Sequence, residues 1–422
     1  MKISVIGGGS TYTPELAEGV AARARDLGIQ ELQLHDVDDR RLEVVAGFVE
    51  RMTRGSGLHI TRTRRLEDCL VDARFVIVQI RVGGQAARLR DERLGRELGV
   101  IGQETTGVGG LANALRTVPV VLDLARRIEA LNPTATLIDF TNPVSIVTEA
   151  LLRHSSVATI GLCNIPISQR RELALHLGLA ETEVDIDSVG LNHLSFIRGI
   201  RVRGEEILPR VIDELSGTLA QGTRPANIPD LDFPPELLRS LRMIPSDYLR
   251  YFFLSTETIA EQRAKNRLRA EEVEEIEAEL LREYERPDSH QKPLALGKRG
   301  GAHYSHAALE ILEAIVKDSG RTLTVDIRNG GCVRELPAEC SIEVPARVRV
   351  SGATPVPQRP LEPEIRGLIQ HVKAYEELAV RAAISRERRD VYLAALAHPL
   401  VPSATLAGRL TDRLMDELRA PQ

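Results

Sequence analysis

Cys163 stands in Gly161-Leu-Cys-Asn-Ile-Pro166, and His193 in Gly190-Leu-Asn-His-Leu-Ser195. A thiolate and an imidazole both suit a divalent transition-metal ion. Taken singly, each reads as a core residue. An isolated cysteine behaves as a small hydrophobe, and Leu191, Leu194 and Phe196 surround the histidine. The sequence before them raises the pair, because it has the pattern of a dinucleotide-binding domain. A metal beside a nicotinamide suggests redox chemistry on a substrate that the metal holds and polarises.

That pattern begins at the N-terminus. Residues 2–7 form a short apolar strand that runs into Gly7-Gly-Gly-Ser-Thr11, and a helical pattern follows from about Pro14. Glycines in such a loop let the backbone turn tightly and approach a pyrophosphate, which then sits at the helix N-terminus. Gly7, Gly9, Ser10 and Thr11 are therefore the candidate cofactor loop. Tyr12 occupies the third position of the usual GxGxxG, so the fingerprint is incomplete. Asp36 ends the second strand, Glu31-Leu-Gln-Leu-His-Asp36, where a carboxylate bonds a ribose hydroxyl and favours NAD over NADP. The competing reading is an ordinary strand, turn and helix with a surface aspartate.

Further polar segments follow apolar ones. Arg81-Val-Gly-Gly-Gln-Ala-Ala-Arg88 comes directly after the run Phe75–Ile80, at the sheet edge where α/β folds bind ligands. Its arginines suit a phosphate or a surface ion pair equally. Gly102-Gln-Glu-Thr-Thr-Gly-Val-Gly-Gly110 looks shaped around a ligand, and Phe140-Thr-Asn-Pro143 ends another strand. Turn chemistry explains either one as well. His303 and His306 form a second histidine pair whose spacing reads as helix surface or loop.

These segments need a scaffold. Phe75–Ile80, Thr136–Phe140 and Ala158–Leu162 are apolar runs of the kind buried on both faces of a parallel sheet, with helical patterns at 114–130 and 143–154 between them. The fold class is α/β, with an N-terminal Rossmann-type doubly wound sheet over residues 1–165. After about residue 166 the rhythm changes. A strand pair or long strand is expected at 186–204, helices over 235–285, a loop at 286–302, strands at 322–327 and 342–350, and helices at 362–387 and 405–418. Residues 166–422 thus form a C-terminal α+β substrate domain.

Composition narrows the class. A chain of 422 residues buries a large core and divides into two domains, and its net charge of −5 leaves no footprint for nucleic acid or an anionic membrane. Arginines between 263 and 282 alternate with acids and read as a solvated face. No apolar run reaches the roughly 20 residues of a membrane span. The first strand starts at once and leaves no room for a signal peptide. Four cysteines without metal-finger spacing fit a reducing, cytoplasmic setting.

Taken in order, Gly-Gly-Gly-Ser-Thr-Tyr-Thr-Pro, Arg-Val-Gly-Gly, Gly-Gln-Glu-Thr-Thr-Gly, Phe-Thr-Asn-Pro, Cys-Asn-Ile-Pro and Gly-Leu-Asn-His make a chain that resembles glycoside hydrolase family four. The likeness continues through Tyr248-Leu-Arg-Tyr251, Arg269-Ala-Glu-Glu-Val273, Arg299-Gly-Gly301 and Asn329-Gly330. It implies a fold like that of lactate and malate dehydrogenase, and a glycosidase that uses NAD and a divalent metal, Mn²⁺ first. Asn164 after Cys163 resembles the 6-phospho-β-glucosidase branch, where the α-glucosidase branch carries Asp.

By this resemblance Cys163 and His193 hold the metal, with sugar O2 and O3 completing its shell, and Tyr248 is the catalytic base. Arg88, Asn142, Asn164 and Arg269 surround a phosphorylated disaccharide or β-glucoside. A free phenol has a pKa of about 10, so nearby cation charge, from the metal or Arg250, has to lower it for Tyr248 to serve as the base. Such enzymes stand outside the scheme of two carboxylates flanking the bond. The implied route is oxidation at C3, deprotonation at C2, elimination of the glycosidic oxygen, addition of water and re-reduction. A homodimer or homotetramer is implied as well.

Overall fold

The computed structural model describes residues 1–217, 232–299 and 304–419. Gly300, Gly301 and His303 lie outside the described residues. Thirteen strands form one sheet: β1 Lys2–Ile6, β2 Glu31–His35, β3 His59–Thr63, β4 Ala73–Val78, β5 Thr136–Asp139, β6 Ala158–Gly161, β7 Val184–Leu191, β8 Leu194–Val202, β9 Glu205–Glu206, β10 Ile244–Pro245, β11 Arg321–Arg328, β12 Ser341–Arg349 and β13 Gly352–Pro355. The path is β10-β8-β7-β12-β11-β6-β5-β4-β1-β2-β3, with β9 paired to β8 and β13 to β12.

The first six strands are all parallel, in the order 3-2-1-4-5-6. This is the dinucleotide-binding arrangement, and it reverses direction between β1 and β4. The cause is legible in the residues. Ile3, Val5, Phe75, Val76, Ile77, Val78, Leu137 and Ile138 are fully buried, because helices cover both faces. β3, His-Ile-Thr-Arg-Thr, lies at the edge and is half exposed, so it carries no such apolar run.

The C-terminal strands are antiparallel and extend the same sheet. β7 and β8 form a hairpin closed by Asn192 and His193, since Leu191 pairs with Leu194. β11 and β12 form a second hairpin, which bridges the two halves: Asp326 pairs with Gly161 of β6, and Glu343 with Gly190 of β7.

Three expectations change. Residues 286–302 contain the short helix Ala295–Arg299 within the expected loop. The charged stretch 261–285 is not wholly solvated, because the helix Arg269–Glu285 buries Glu277 and Tyr284. One helix, Gly107–Leu131, has the length and hydropathy of a membrane span; its 18-residue apolar window is 78% buried inside the fold, and Pro119 lies within it. It is the central helix of the core.

Candidate active site

The first strands end on a cavity of about 890 Å³ lined by Gly7, Ser10, Asp36, Asn142, Glu277 and Arg299 among others. Gly7 has φ +88, and a Cβ there would lie 2.8 Å from the Gln79 carbonyl. A Cβ on Gly9 would lie 2.9 Å from Asp36 Oδ2, the oxygen that accepts the Gly9 N–H at 2.8 Å. The loop and the end of β2 therefore fit only as glycines against a carboxylate. Gly9 and Thr11 stand behind the lining: the Thr11 carbonyl accepts from the Tyr284 hydroxyl at 2.9 Å. Val37 is 95% exposed beside Asp36, an apolar surface at the mouth where a flat base could rest. This cradle fits a dinucleotide.

Glu277 is the residue that sequence reading missed here. It receives Arg299 at 2.7 Å, Gln85 at 3.0 Å and Arg41 at 3.2 Å, while Arg41 also donates to the Gly9 carbonyl at 3.2 Å. Burial pushes its carboxyl up, but Arg299 and Arg41 hold it down at about 2. A glutamate in a charged helix resembles a solvated one, and only its place in the fold separates them. Arg299 also lies over the Tyr12 ring at 5.1 Å. The residue replacing the third glycine thus has a role in packing.

Cys163, His193 and Tyr248 come together. The His193 and Tyr248 rings stack in parallel with centroids 3.6 Å apart, and Tyr248 packs with Cys163, Ile101, Ile165 and Tyr251 in one buried cluster. His193 has φ 62, set by the tight turn between β7 and β8. Its Nδ1 lies 3.3 Å from the Thr105 hydroxyl. Burial lowers its pKa to about 3, against a small opposing effect of Glu104, so the imidazole is neutral and free to donate a lone pair. Burial, and next the Glu343 charge, push the Cys163 thiol well above its ordinary value. A cation must therefore displace its proton. No group of three His, Cys, Asp or Glu that could hold a metal exists among the described residues. A buried soft donor beside a neutral imidazole fits an ion whose remaining positions go to substrate.

Arg88 interacts electrostatically with Tyr248, and Arg250 pairs with Asp247 and sits 4.3 Å above the Phe233 ring. Arg88 is itself held by Glu92 at 2.8 Å and Glu104 at 3.4 Å. Glu104 pairs with Arg81 too; burial opposes its charge, yet the two arginines keep its carboxyl at about 2. Glu104 lies in the glycine-rich segment singled out from sequence, where nothing marked it above its neighbours.

The other candidates fall around this centre. Asn142 lines the large cavity, and its Oδ1 is buried with no hydrogen-bond partner. Asn164 stands at the N-terminal cap position of the helix Ile165–Leu177 without a side-chain capping bond, its Oδ1 3.9 Å from the Cys163 sulfur. Arg269 stands apart: it pairs with Glu272 and donates to the carbonyls of Lys298 at 2.7 Å and Arg299 at 3.2 Å. It meets the cavity through Arg299. His306 is 4.0 Å from Glu310 on its own helix, and its partner in the motif lies outside the described residues.

Two family models cover most of the chain: "Family 4 glycosyl hydrolase" matches residues 2–179, and "Family 4 glycosyl hydrolase C-terminal domain" matches 188–401. A 6-phospho-beta-glucosidase of Escherichia coli (strain K12) is 38% identical over 413 residues, 96% of this chain and 92% of that one. A crystal structure of the 6-phospho-beta glucosidase from Thermotoga maritima with manganese, NAD+ and glucose-6-phosphate superposes with TM-score 0.91 at 33% identity, covering 99% of this chain and 98% of that one. Malate dehydrogenase from Plasmodium falciparum, at 15% identity and TM-score 0.56 over 91% of this chain and 99% of that one, shares the fold.

Proposed function

The chain belongs to the family 4 glycosyl hydrolases, and we propose from that premise how its residues divide the work. It is a glycosidase that hydrolyses 6-phospho-β-glucosides, with NAD and Mn²⁺ as cofactors. When bound, NAD supplies reversible oxidation at sugar C3, and the divalent ion polarises the neighbouring oxygens as a Lewis acid.

Cys163 and His193 would hold the ion; that Tyr248 clusters with Cys163 and stacks on the His193 ring supports this most directly. Tyr248 removes the proton at C2. A free phenol has a pKa of about 10, so cationic charge must assist, and Arg88, which acts on Tyr248 electrostatically, and the ion itself are the sources proposed. Gly7, Gly9, Ser10, Thr11 and Asp36 form the NAD site. Asn142 brings an unsatisfied amide oxygen to the cavity, which suits a sugar hydroxyl. Asn164 works beside the sulfur, and Arg88 and Arg269 are proposed to take part in holding the phosphorylated sugar, Arg269 through Arg299. Residues 1–165 carry the cofactor and 166–422 the rest of the substrate and metal site. A cytoplasmic location agrees with four free cysteines, and a homodimer or homotetramer follows the family resemblance, with light scattering as its test.

The direct assay is aglycone release from a chromogenic 6-phospho-β-glucoside with NAD, Mn²⁺ and reductant. Activity is expected to vanish without NAD and to fall steeply when the 6-phosphate is removed. Equal rates without NAD would overturn the assignment, and stoichiometric NADH accumulation would make the protein a plain dehydrogenase.

A further inference from the structure

Behind Cys163 and His193 lies a carboxylate pair that the reaction does not call for. Asp326 of β11 and Glu343 of β12 are partners across their hairpin, and each is 1% exposed. The same two residues are where the hairpin pairs with its neighbours, at Gly161 of β6 and Gly190 of β7. Cys163 follows Gly161 by two positions, and His193 follows Gly190 by three. One hairpin thus sets both donor-bearing segments relative to each other.

The side chains converge as well. Asn192 Nδ2 donates to Glu343 Oε2 at 3.0 Å and to Asp326 Oδ2 at 3.4 Å. The Asn192 amide also acts on the Cys163 thiol, and Ser195 on Glu343. Asn192 and His193 are the two residues of the turn, so an anchor on Asn192 fixes the swing of the imidazole. Neither carboxylate has an ion-pair partner among the described residues. Lys373, which acts on Asp326 from a distance, is taken by Glu149 at 3.0 Å and Glu376 at 2.5 Å. Asp326 Oδ1 is buried without a hydrogen-bond partner. Two buried carboxylates without a cation of their own are costly, unless the neighbouring site brings one.

We propose that Asp326 and Glu343 are positioning residues for the ion held by Cys163 and His193. They anchor Asn192, and with it the turn that carries the imidazole, and their hairpin sets the strand that ends on Cys163. The proposal rests on the assignment of Cys163 and His193 as ligands. Partners in this outer layer typically change metal affinity by about 10–100-fold.

The test is titration of metal-stripped full-length protein with Mn²⁺, reading the free ion by electron paramagnetic resonance, so that turnover plays no part. Glu343→Gln and Asp326→Asn keep shape, and Asn192→Ala, on a turn, removes the link itself. Each is expected to raise the Mn²⁺ Kd by about 10–100-fold. NAD affinity should stay within about twofold of the parent, and hydrolysis should recover at saturating Mn²⁺. A parent-like Mn²⁺ Kd in all three, with parent-like circular dichroism, overturns the proposal. Cys163→Ser and His193→Ala report on the ligands separately: tight binding lost in both supports the ligand assignment, while parent-like binding in both removes it and this proposal together.

Discussion

The duties proposed for Cys163 and Tyr248 are separable, so their substitutions should fail differently. Cys163→Ser is expected to lose Mn²⁺ affinity and activity together, with NAD affinity unchanged by equilibrium titration. Tyr248→Phe should keep both cofactors and lose about 10²–10⁴-fold in kcat, the usual contribution of a positioned proton-transfer group; a loss of less than tenfold would remove Tyr248 as the base. Glu104 and Glu277 each add to the loss of stability in acid. Both folded values lie near 2, below the ordinary 4.5. A depressed carboxyl contributes stability above its unfolded value and loses it as pH falls through the folded one. Stability should therefore decline between about pH 4.5 and 2. Glu277→Gln should flatten that decline by on the order of 3 kcal/mol; an unchanged slope in urea titrations at pH 5, 4 and 3 would contradict it. Motif residues such as Gly9 and His193 were legible because neighbours of the right type flank them. Glu104, Glu277 and Asn192 were not, because their importance lies in distant partners such as Arg81, Arg299 and Glu343.

Among the elements, the hairpin β11–β12 holds the two halves in register through single residue pairs at Gly161 and Gly190. A Cβ on Gly161 would strike the Thr148 hydroxyl and come within 2.9 Å of Asp326 Cβ; on Gly190 it would strike the Leu194 carbonyl and lie 2.6 Å from Ser195 Cα. Gly161→Ala and Gly190→Ala should each cost about 1–3 kcal/mol through overpacking, lower the melting temperature and weaken Mn²⁺ binding before NAD binding. Parent-like calorimetry for both would show that the glycines are incidental. The inner strands were legible as continuous apolar runs, and the pair at 186–204 resolved into β7 and β8. β3 escaped because an edge strand needs no apolar run. The pairing of Asp326 with Gly161 is set by contacts between positions 165 residues apart, which local periodicity does not carry.

Across the whole molecule, the parallel half supplies most of a cradle for a dinucleotide and the later residues supply His193, Tyr248 and Glu277, which puts the proposed sugar site where the two meet. The fold class was readable from alternating strands and helices. The continuity of one sheet through both halves was not, because nothing local marks a strand that joins another domain's edge. Because NAD is regenerated in each cycle, hydrolysis of many substrate equivalents should leave absorbance at 340 nm unchanged. The decisive step of the proposed route is removal of the C2 proton by Tyr248, which no direct displacement at the glycosidic carbon requires. Hydrolysis of a 6-phospho-β-glucoside in D₂O, followed by NMR of the glucose 6-phosphate released, reads that step: deuterium at C2 in the product of the parent enzyme is the expected result, and a product that retains only protium at C2 contradicts it.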